Sequence, residues 1–147
     1  MSIIEQEQIK EEYHAQAMRY MTNAKDSLQK AQKNGKYYQD QKYVRMAGGT
    51  AYSGLLVGLD GLLLLKGITP KGKERKSVEY YQRNITKIDK KMLGTFITAY
   101  HLLHLIGYYD GITKVDVIKS GFDDAYTLIN KIKPKSVNSE QLTINNV

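Results

Sequence analysis

A long apolar stretch at residues 43–66, YVRMAGGTAYSGLLVGLDGLLLLK, constrains the fold of this chain more than any other feature. Its small residues recur every three or four positions, at Ala47, Ala51, Gly54 and Gly58. That spacing places them on one stripe of a helix. A glycine inside a helix costs about 1 kcal/mol relative to alanine, so these glycines need a compensating contact. The stretch therefore predicts a buried helix against which a neighbouring helix packs unusually closely.

The same stretch is too short to be predicted as a membrane span. Residues 54–65 are mostly apolar, but Asp60 interrupts them, and a bilayer-spanning helix needs roughly 20 apolar residues. The N-terminal sequence MSIIEQEQIKEEY is acidic and amphipathic, unlike a secretory signal peptide. The chain has no cysteine, which is typical of a reducing compartment. We therefore expect a cytoplasmic protein that does not associate with a membrane.

Helical periodicity extends through most of the chain. Apolar residues spaced by three and four predict helices at residues 5–33, 43–66, 74–106 and 114–133. Gly94 would split the third of these segments into two helices. No strand pattern accompanies them. We therefore predict an all-α fold, an up-and-down antiparallel bundle of four helices, or of five if Gly94 breaks the third.

Polar residues mark several of the predicted helix ends. Ser2 with Glu5, and Thr113 with Asp116, have the spacing of a capping box, in which side chains at a helix start bond to free backbone amides. Asp40 is placed to cap the central helix in the same way. These residues predict the starts of the first, last and central helices, respectively.

The chain is long enough for one domain with one core, since it has 147 residues and 41% apolar composition. We assign this domain to residues 1–133. Gly35 is predicted to end the first helix, and residues 107–111, GYYDG, to form a turn. Pro134 ends the last helix, and the tail at residues 134–147 is expected either to be flexible or to dock in an extended form.

Tyrosine is abundant, with twelve residues against two phenylalanines and no tryptophan. Tyr37, Tyr38, Tyr108 and Tyr109 lie in or beside predicted turns and are therefore expected at the surface. Exposed aromatic residues are enriched in recognition patches and at the edges of dimer interfaces. Both roles are open to these four tyrosines.

The net charge of +7 is concentrated in residues 66–91, where nine Lys and Arg residues against three acidic residues give a net charge of +6. A basic patch of this kind attracts polyanions, and Tyr80 and Tyr81 lie among its charges as in RNA-binding modules. The alternative is an ordinary solvated surface. The candidate contacts to phosphate or nucleic acid are Lys71, Lys73, Arg75, Lys76, Arg83 and Lys87.

A second candidate site is polar and consists of Asp60, His101 and His104. Asp60 is an acid among glycines and leucines, and a buried carboxylate needs a partner. His101 and His104 are one helical turn apart. The alternative is that Asp60 is ion-paired or solvated and that the imidazoles bond to neighbouring groups. No further ligand stands at metal-binding spacing and no phosphate-loop motif occurs, so we expect neither a metal nor a cofactor.

The order of these features resembles the HEPN superfamily of small helical bundles over about residues 10–133. The segments that carry the resemblance are AYSGLLVGLDGLLLLKG, ITPKGKERKSVEYYQRNI, YHLLHLIGYY and DDAYTLINKI. The resemblance implies a bundle of four or five helices that usually forms a homodimer. Members of that superfamily include RNases of toxin–antitoxin and defence systems, partners of minimal nucleotidyltransferases, and inactive structural versions.

Active HEPN RNases carry the motif Arg-x4-6-His, and this chain departs from it. Arg83 followed by Asn84 begins such a motif, but Ile88, Asp89 and Lys90 stand where the histidine should be. The resemblance therefore implies no catalytic residue, and we expect a non-enzymatic, dimeric interaction module that binds another macromolecule.

Two alternatives to this function remain open. The first is an RNA- or nucleotide-binding protein of the toxin–antitoxin or nucleotidyltransferase-partner type, which would use the basic segment at residues 66–91. The second is a divergent RNase in which His101 or His104 works with Asp60.

Overall fold

Five α-helices make up most of the computed structural model, which describes residues 1–135. The helices are α1 Ile3–Ala31, α2 Gln41–Leu65, α3 Val78–Thr86, α4 Lys90–Ala99 and α5 Val115–Ile129. A π-helix at Tyr100–Asp110, here called the π segment, continues α4, and a 3-10 turn at Asn130–Ile132 follows α5. The predicted all-α fold is confirmed. From residue 136 onward, the predicted tail lies outside the described residues.

Two of the three predicted helix caps are confirmed. The Ser2 hydroxyl accepts a hydrogen bond from the Glu5 amide at 3.0 Å, and the Asp40 carboxylate accepts one from the amide of residue 42, also at 3.0 Å. The third cap is wrong. Lys114, which has no capping side-chain bond, precedes the first residue of α5. The backbone of Thr113 is instead used to bond a distant part of the chain, as described next.

A short β-hairpin between α1 and α2 was not predicted. Strands β1 at Lys33–Asn34 and β2 at Tyr37–Tyr38 pair antiparallel. Gly35, predicted to cap α1, is instead the first residue of the hairpin turn and has φ 65°, as tight hairpin turns require. The Tyr38 amide donates to the Thr113 carbonyl at 2.8 Å. Strands of two residues are too short to show an alternating pattern, so periodicity could not reveal them.

The predicted third helix is broken, but not at Gly94. Helix α3 ends at residue 86, and the Asp89 carboxylate accepts a bond from the amide of residue 91 at 2.8 Å to start α4. Gly94 lies inside α4. The predicted turn at residues 107–111 is also wrong, since the π segment continues to residue 110 and Gly111, with φ 65°, ends it.

Helix α2 lies at the centre, and its glycines allow neighbouring helices to approach, as predicted. A Cβ at Gly54 would lie 2.8 Å from the Tyr20 Cβ, and one at Gly61 would lie 2.6 Å from the Tyr13 Cβ. Since later α2 residues meet earlier α1 residues, these two helices are antiparallel. Gly58 faces α5 instead, where a Cβ would be 3.0 Å from Ile129. These three glycines thus serve two neighbouring helices and not one.

Every helix contributes to one hydrophobic core. Its largest fully buried side chains include Met21, Leu55, Ile85, Phe96, Leu103 and Phe122. By length and composition alone α2 could also cross a membrane, and 56% of its most apolar 18-residue window is buried inside the protein. This burial agrees with the interpretation of α2 as a core helix.

Candidate functional site

Two concave surfaces contain the residues of interest. The first, called the aromatic groove, has a volume of about 420 Å³ and is lined by Tyr20, Arg45, Met46, Gly49, Thr50, Tyr52, Ser53, His104 and Tyr108. The second, called the basic pocket, has a volume of about 550 Å³ and is lined by Gly67, Ile68, Thr69, Lys71, Glu74, Arg83, Asn84 and Lys87.

The aromatic groove forms where the π segment crosses two adjacent glycines of α2. A Cβ at Gly48 would lie 2.7 Å from the Leu103 carbonyl oxygen, and one at Gly49 would lie 3.1 Å from the Tyr108 ring. At Gly48 the approaching atom is backbone, so only glycine permits this approach there. The π segment is eleven residues long, whereas most π-helices are single turns inside α-helices, and such turns are frequent at functional sites. This contact brings the aromatic side chains of the π segment over α2.

The His104 imidazole lies between aromatic rings in this groove. Its centroid is 4.7 Å from that of Tyr52 and 5.8 Å from that of Tyr108, both in stacked orientations. Tyr109 meets it edge-on at 5.0 Å. Burial lowers the pKa of His104 below its ordinary value, and burial raises that of Tyr52. His104 and Tyr52 are therefore both uncharged at neutral pH.

Arg45 fixes the end of the π segment. Its guanidinium donates to the carbonyl oxygens of Tyr108, at 3.1 Å, and Tyr109. The last carbonyls of a helix lack partners within it, and a cation at that end also complements the helix dipole. Gln41 donates to the Gly111 carbonyl at 3.0 Å. These bonds hold the backbone that carries Tyr108 and Tyr109.

Exposed apolar side chains surround the groove. Tyr109 is 59% exposed, Met46 49% and Tyr108 45%. Ile112, which is also exposed, follows soon after them in the chain. The exposed Tyr37 lies close by, because its backbone forms a β-bridge with residue 114. We call these five residues the aromatic face. Of the four tyrosines predicted at the surface, Tyr38 alone is buried.

The basic pocket brings together three of the six predicted phosphate contacts, Lys71, Arg83 and Lys87. Arg83 forms an ion pair with Glu74, whose other carboxylate oxygen accepts from the Lys71 amide at 3.2 Å. The hydrogen bond from the Lys71 amide is the main cause that holds the pKa of Glu74 below its ordinary value, and Arg83 lowers it further. Asn84 is buried, and its side-chain oxygen accepts from the Lys87 ammonium at 3.4 Å.

The other three predicted phosphate contacts do not line the pocket. Lys73 and Arg75 are exposed on the loop, and Lys76 forms an ion pair with Asp60 at 3.2 Å. Tyr80 and Tyr81 are each 2% exposed, so they cannot stack on a nucleotide base as the sequence suggested.

The structure does not bring Asp60, His101 and His104 together. Asp60 accepts hydrogen bonds from the Tyr81 hydroxyl, at 2.8 Å, and from Lys76. His104 lies in the aromatic groove, whereas His101 is exposed beside the Tyr100 ring. Asp60 is therefore ion-paired, which is one of the two alternatives to a polar site that the sequence left open for it. Across residues 1–135, no three His, Asp or Glu side chains are grouped so that they could hold a metal ion.

Sequence reasoning missed Arg45, Met46 and Tyr52 as residues of a site. The signal that could have found them is the pair Gly48 and Gly49 inside a helix, because two adjacent glycines there indicate that a backbone or ring approaches closely. Which segment approaches is decided by long-range packing and is not visible in the sequence.

Comparisons with known proteins describe relatives of unknown function. A solved structure, a protein of unknown function from Dyadobacter fermentans, is similar to this chain with a TM-score of 0.73 and 41% sequence identity. The similarity covers 84% of this chain and 94% of that one. No curated protein matches. Neither result bears on the resemblance to HEPN proteins, which stays a prediction. Residues 12–134 match a family described as a domain of unknown function, DUF5618, and the chain belongs to that family.

Proposed function

We propose that this protein is a cytoplasmic, non-enzymatic binding module with a HEPN-like, up-and-down bundle, and that its aromatic face joins two copies into a homodimer. The observation that supports this proposal is the set of exposed tyrosine, methionine and isoleucine side chains at one end of the molecule. Large exposed apolar patches, of more than a few hundred Å², are rare on soluble monomers and often mark interaction sites, and Tyr and Met are enriched at protein interfaces.

The rigidity of the aromatic face also supports an interface. Arg45 bonds to the backbone at Tyr108 and Tyr109, and the Tyr109 ring packs against Tyr108 at 5.1 Å. Side chains that are already ordered lose less entropy when a partner binds. The face is thus organised for association before a second copy arrives.

The polar residues favour a binding role over catalysis. General acid–base chemistry requires titratable groups that converge on one point. His104 is enclosed by aromatic rings, and Arg83 is engaged by Glu74. No histidine lines the basic pocket. The RNase alternative requires His101 or His104 to pair with Asp60. That pairing is absent among the described residues, since Asp60 bonds to Tyr81 and Lys76, and this supports the binding role.

Sedimentation velocity tests the dimer proposal. We expect the wild-type protein to sediment as a dimer and Tyr109→Asp to sediment as a monomer, because a carboxylate in the interface would have to be desolvated. Ile4→Asp is the matched control. Ile4 is 72% exposed, and the antiparallel packing of α1 against α2 places it at the opposite end from Met46.

Two results would contradict the proposal. A wild-type protein that remains monomeric across the accessible concentration range would refute the homodimer. Equal dissociation of Tyr109→Asp and Ile4→Asp would show that the aromatic face is not the interface. Circular dichroism of both variants checks that each retains the wild-type helix content.

A further inference from the structure

The basic pocket contains charges that the dimer proposal does not use. Three cations, Lys71, Arg83 and Lys87, line it together with one carboxylate, Glu74, and leave a net charge of +2. Its volume of about 550 Å³ falls in the range of small-molecule sites. The pocket is therefore large enough and positive enough for a small anion.

The carboxylate of Glu74 already shows how an anion binds there. One of its oxygens accepts from the Lys71 backbone amide at 3.2 Å, and the other accepts from the Arg83 guanidinium. A backbone amide and a guanidinium are also the donors that proteins use to bind phosphate oxygens. Glu74 thus occupies an anion site that the chain has built for itself.

Neighbouring side chains also restrict two cations of this site, Lys87 and Arg83. The Asn84 amide group is buried and donates to the Tyr80 carbonyl at 2.9 Å, which fixes its oxygen to accept from Lys87 at 3.4 Å. The Arg83 guanidinium lies 5.9 Å from the centroid of the Tyr80 ring. Both cations are therefore held beside the pocket by contacts that do not involve Glu74.

We propose that the basic pocket binds the phosphate group of a small phosphorylated ligand, and that Glu74 competes with this group for Arg83 and the Lys71 amide. A phosphate group has more charge and more acceptor oxygens than a carboxylate, and it can also reach the ammonium groups of Lys71 and Lys87. The specific donors separate this site from a diffuse basic surface, which would use the exposed Lys73 and Arg75 equally.

Isothermal titration calorimetry at constant ionic strength tests the proposal, with inorganic phosphate, pyrophosphate and ATP as separate probes. We expect Arg83→Gln to weaken binding by about tenfold, since it removes a charge-assisted donor. Glu74→Gln should tighten binding several-fold because it frees that donor. Arg75→Gln, on the same loop but outside the pocket, is the matched control and should bind as the wild type does. Lys87→Gln is the substitute test in case Arg83→Gln does not fold. It breaks no ion pair among the described residues and should also weaken binding.

The probes also identify the source of the phosphate. ATP binding more tightly than inorganic phosphate would support a nucleotide ligand, and equal affinity would support a site for the phosphate group alone. Absence of binding of all three probes, to both the wild type and Glu74→Gln, would overturn the proposal. Equal losses of phosphate affinity in Arg83→Gln and Arg75→Gln would overturn the proposal in favour of a diffuse basic surface. RNA binding that depends on Arg75 and not on Arg83 would overturn it in the same way. Weaker binding in Glu74→Gln would refute the competition.

Discussion

Replacing a glycine by alanine should have opposite effects at two helical positions of this chain, Gly48 and Gly94. Alanine stabilises a helix interior by about 1 kcal/mol relative to glycine. At Gly94 a new Cβ would meet no atom of residues 1–135 within 4 Å, so Gly94→Ala should gain that full amount. For a chain of this size, the gain corresponds to a rise of about 3 °C in the melting temperature.

At Gly48 the same methyl group meets backbone. It would lie 2.7 Å from the Leu103 carbonyl oxygen and 3.1 Å from the Tyr108 amide nitrogen. The π segment would have to retreat by about 0.7 Å to reach the 3.4 Å of ordinary contact. Overpacking of this kind costs about 1–3 kcal/mol. Because the atoms met are backbone and cannot rotate away, the upper part of that range applies, about 2–3 kcal/mol. After the gain of about 1 kcal/mol in helix propensity, Gly48→Ala should still lower the free energy of unfolding by about 1–2 kcal/mol.

Urea unfolding followed by far-ultraviolet circular dichroism measures both variants, and the unfolding midpoint at unchanged slope reports the change in stability. Near-ultraviolet circular dichroism should also change in Gly48→Ala, because Tyr108 moves with the backbone. If Gly48→Ala proved as stable as Gly94→Ala, the close packing of α2 against the π segment would be wrong.

Two further predictions concern buried polar groups. Burial, followed by the charge of Lys133, lowers the pKa of His14 below its ordinary 6.5, so the unfolded chain takes up a proton at higher pH than the folded one. His14 should therefore not affect the urea midpoint above pH 6.5, and the midpoint should fall as the pH drops below 6.5. His14→Leu should reduce this fall. An equal fall in the wild type and in His14→Leu would exclude His14 as the cause. Tyr81→Phe removes the 2.8 Å hydrogen bond to Asp60 and should lower the free energy of unfolding by about 1–2 kcal/mol. Lys76→Met removes the ion pair with the same carboxylate. Because the Lys76 side chain is 46% exposed, this change should cost less than about 1 kcal/mol. A larger loss of thermal stability in Lys76→Met than in Tyr81→Phe would reverse this ranking.

Local signals in the sequence were sufficient for α1 and α2. Their apolar residues recur regularly, and Ser2 and Asp40 cap them through bonds that span only two or three residues. The break between α3 and α4 was missed because apolar residues keep a helical spacing across it, while the Asp89 side chain starts a new helix there. Periodicity shows that a segment is helical but not that a helix ends and begins again.

The two surfaces differ in how far the sequence could predict them. Charge density identified Lys71, Arg83 and Lys87 because they are close together in the chain. It could not show that Asp60 neutralises Lys76, since that pair joins α2 to the following loop. The aromatic groove depends on contacts between α2 and the π segment that join residues far apart in the chain, as in the bond from Arg45 to the Tyr108 carbonyl, 63 residues away.

The β-hairpin ties together the two chain connections at one end of the molecule. The Tyr38 amide bonds to the Thr113 carbonyl, and the Val115 amide bonds to the Lys36 carbonyl at 2.9 Å. The loop at residues 66–77 instead bonds largely to itself and to adjacent helix ends, as Glu74 does with Lys71. Fraying at the hairpin end must therefore break both connections at once, while the loop can open alone. The proposed dimer interface therefore lies at the end whose two connections support each other, and the proposed anion pocket lies beside the segment that can open by itself.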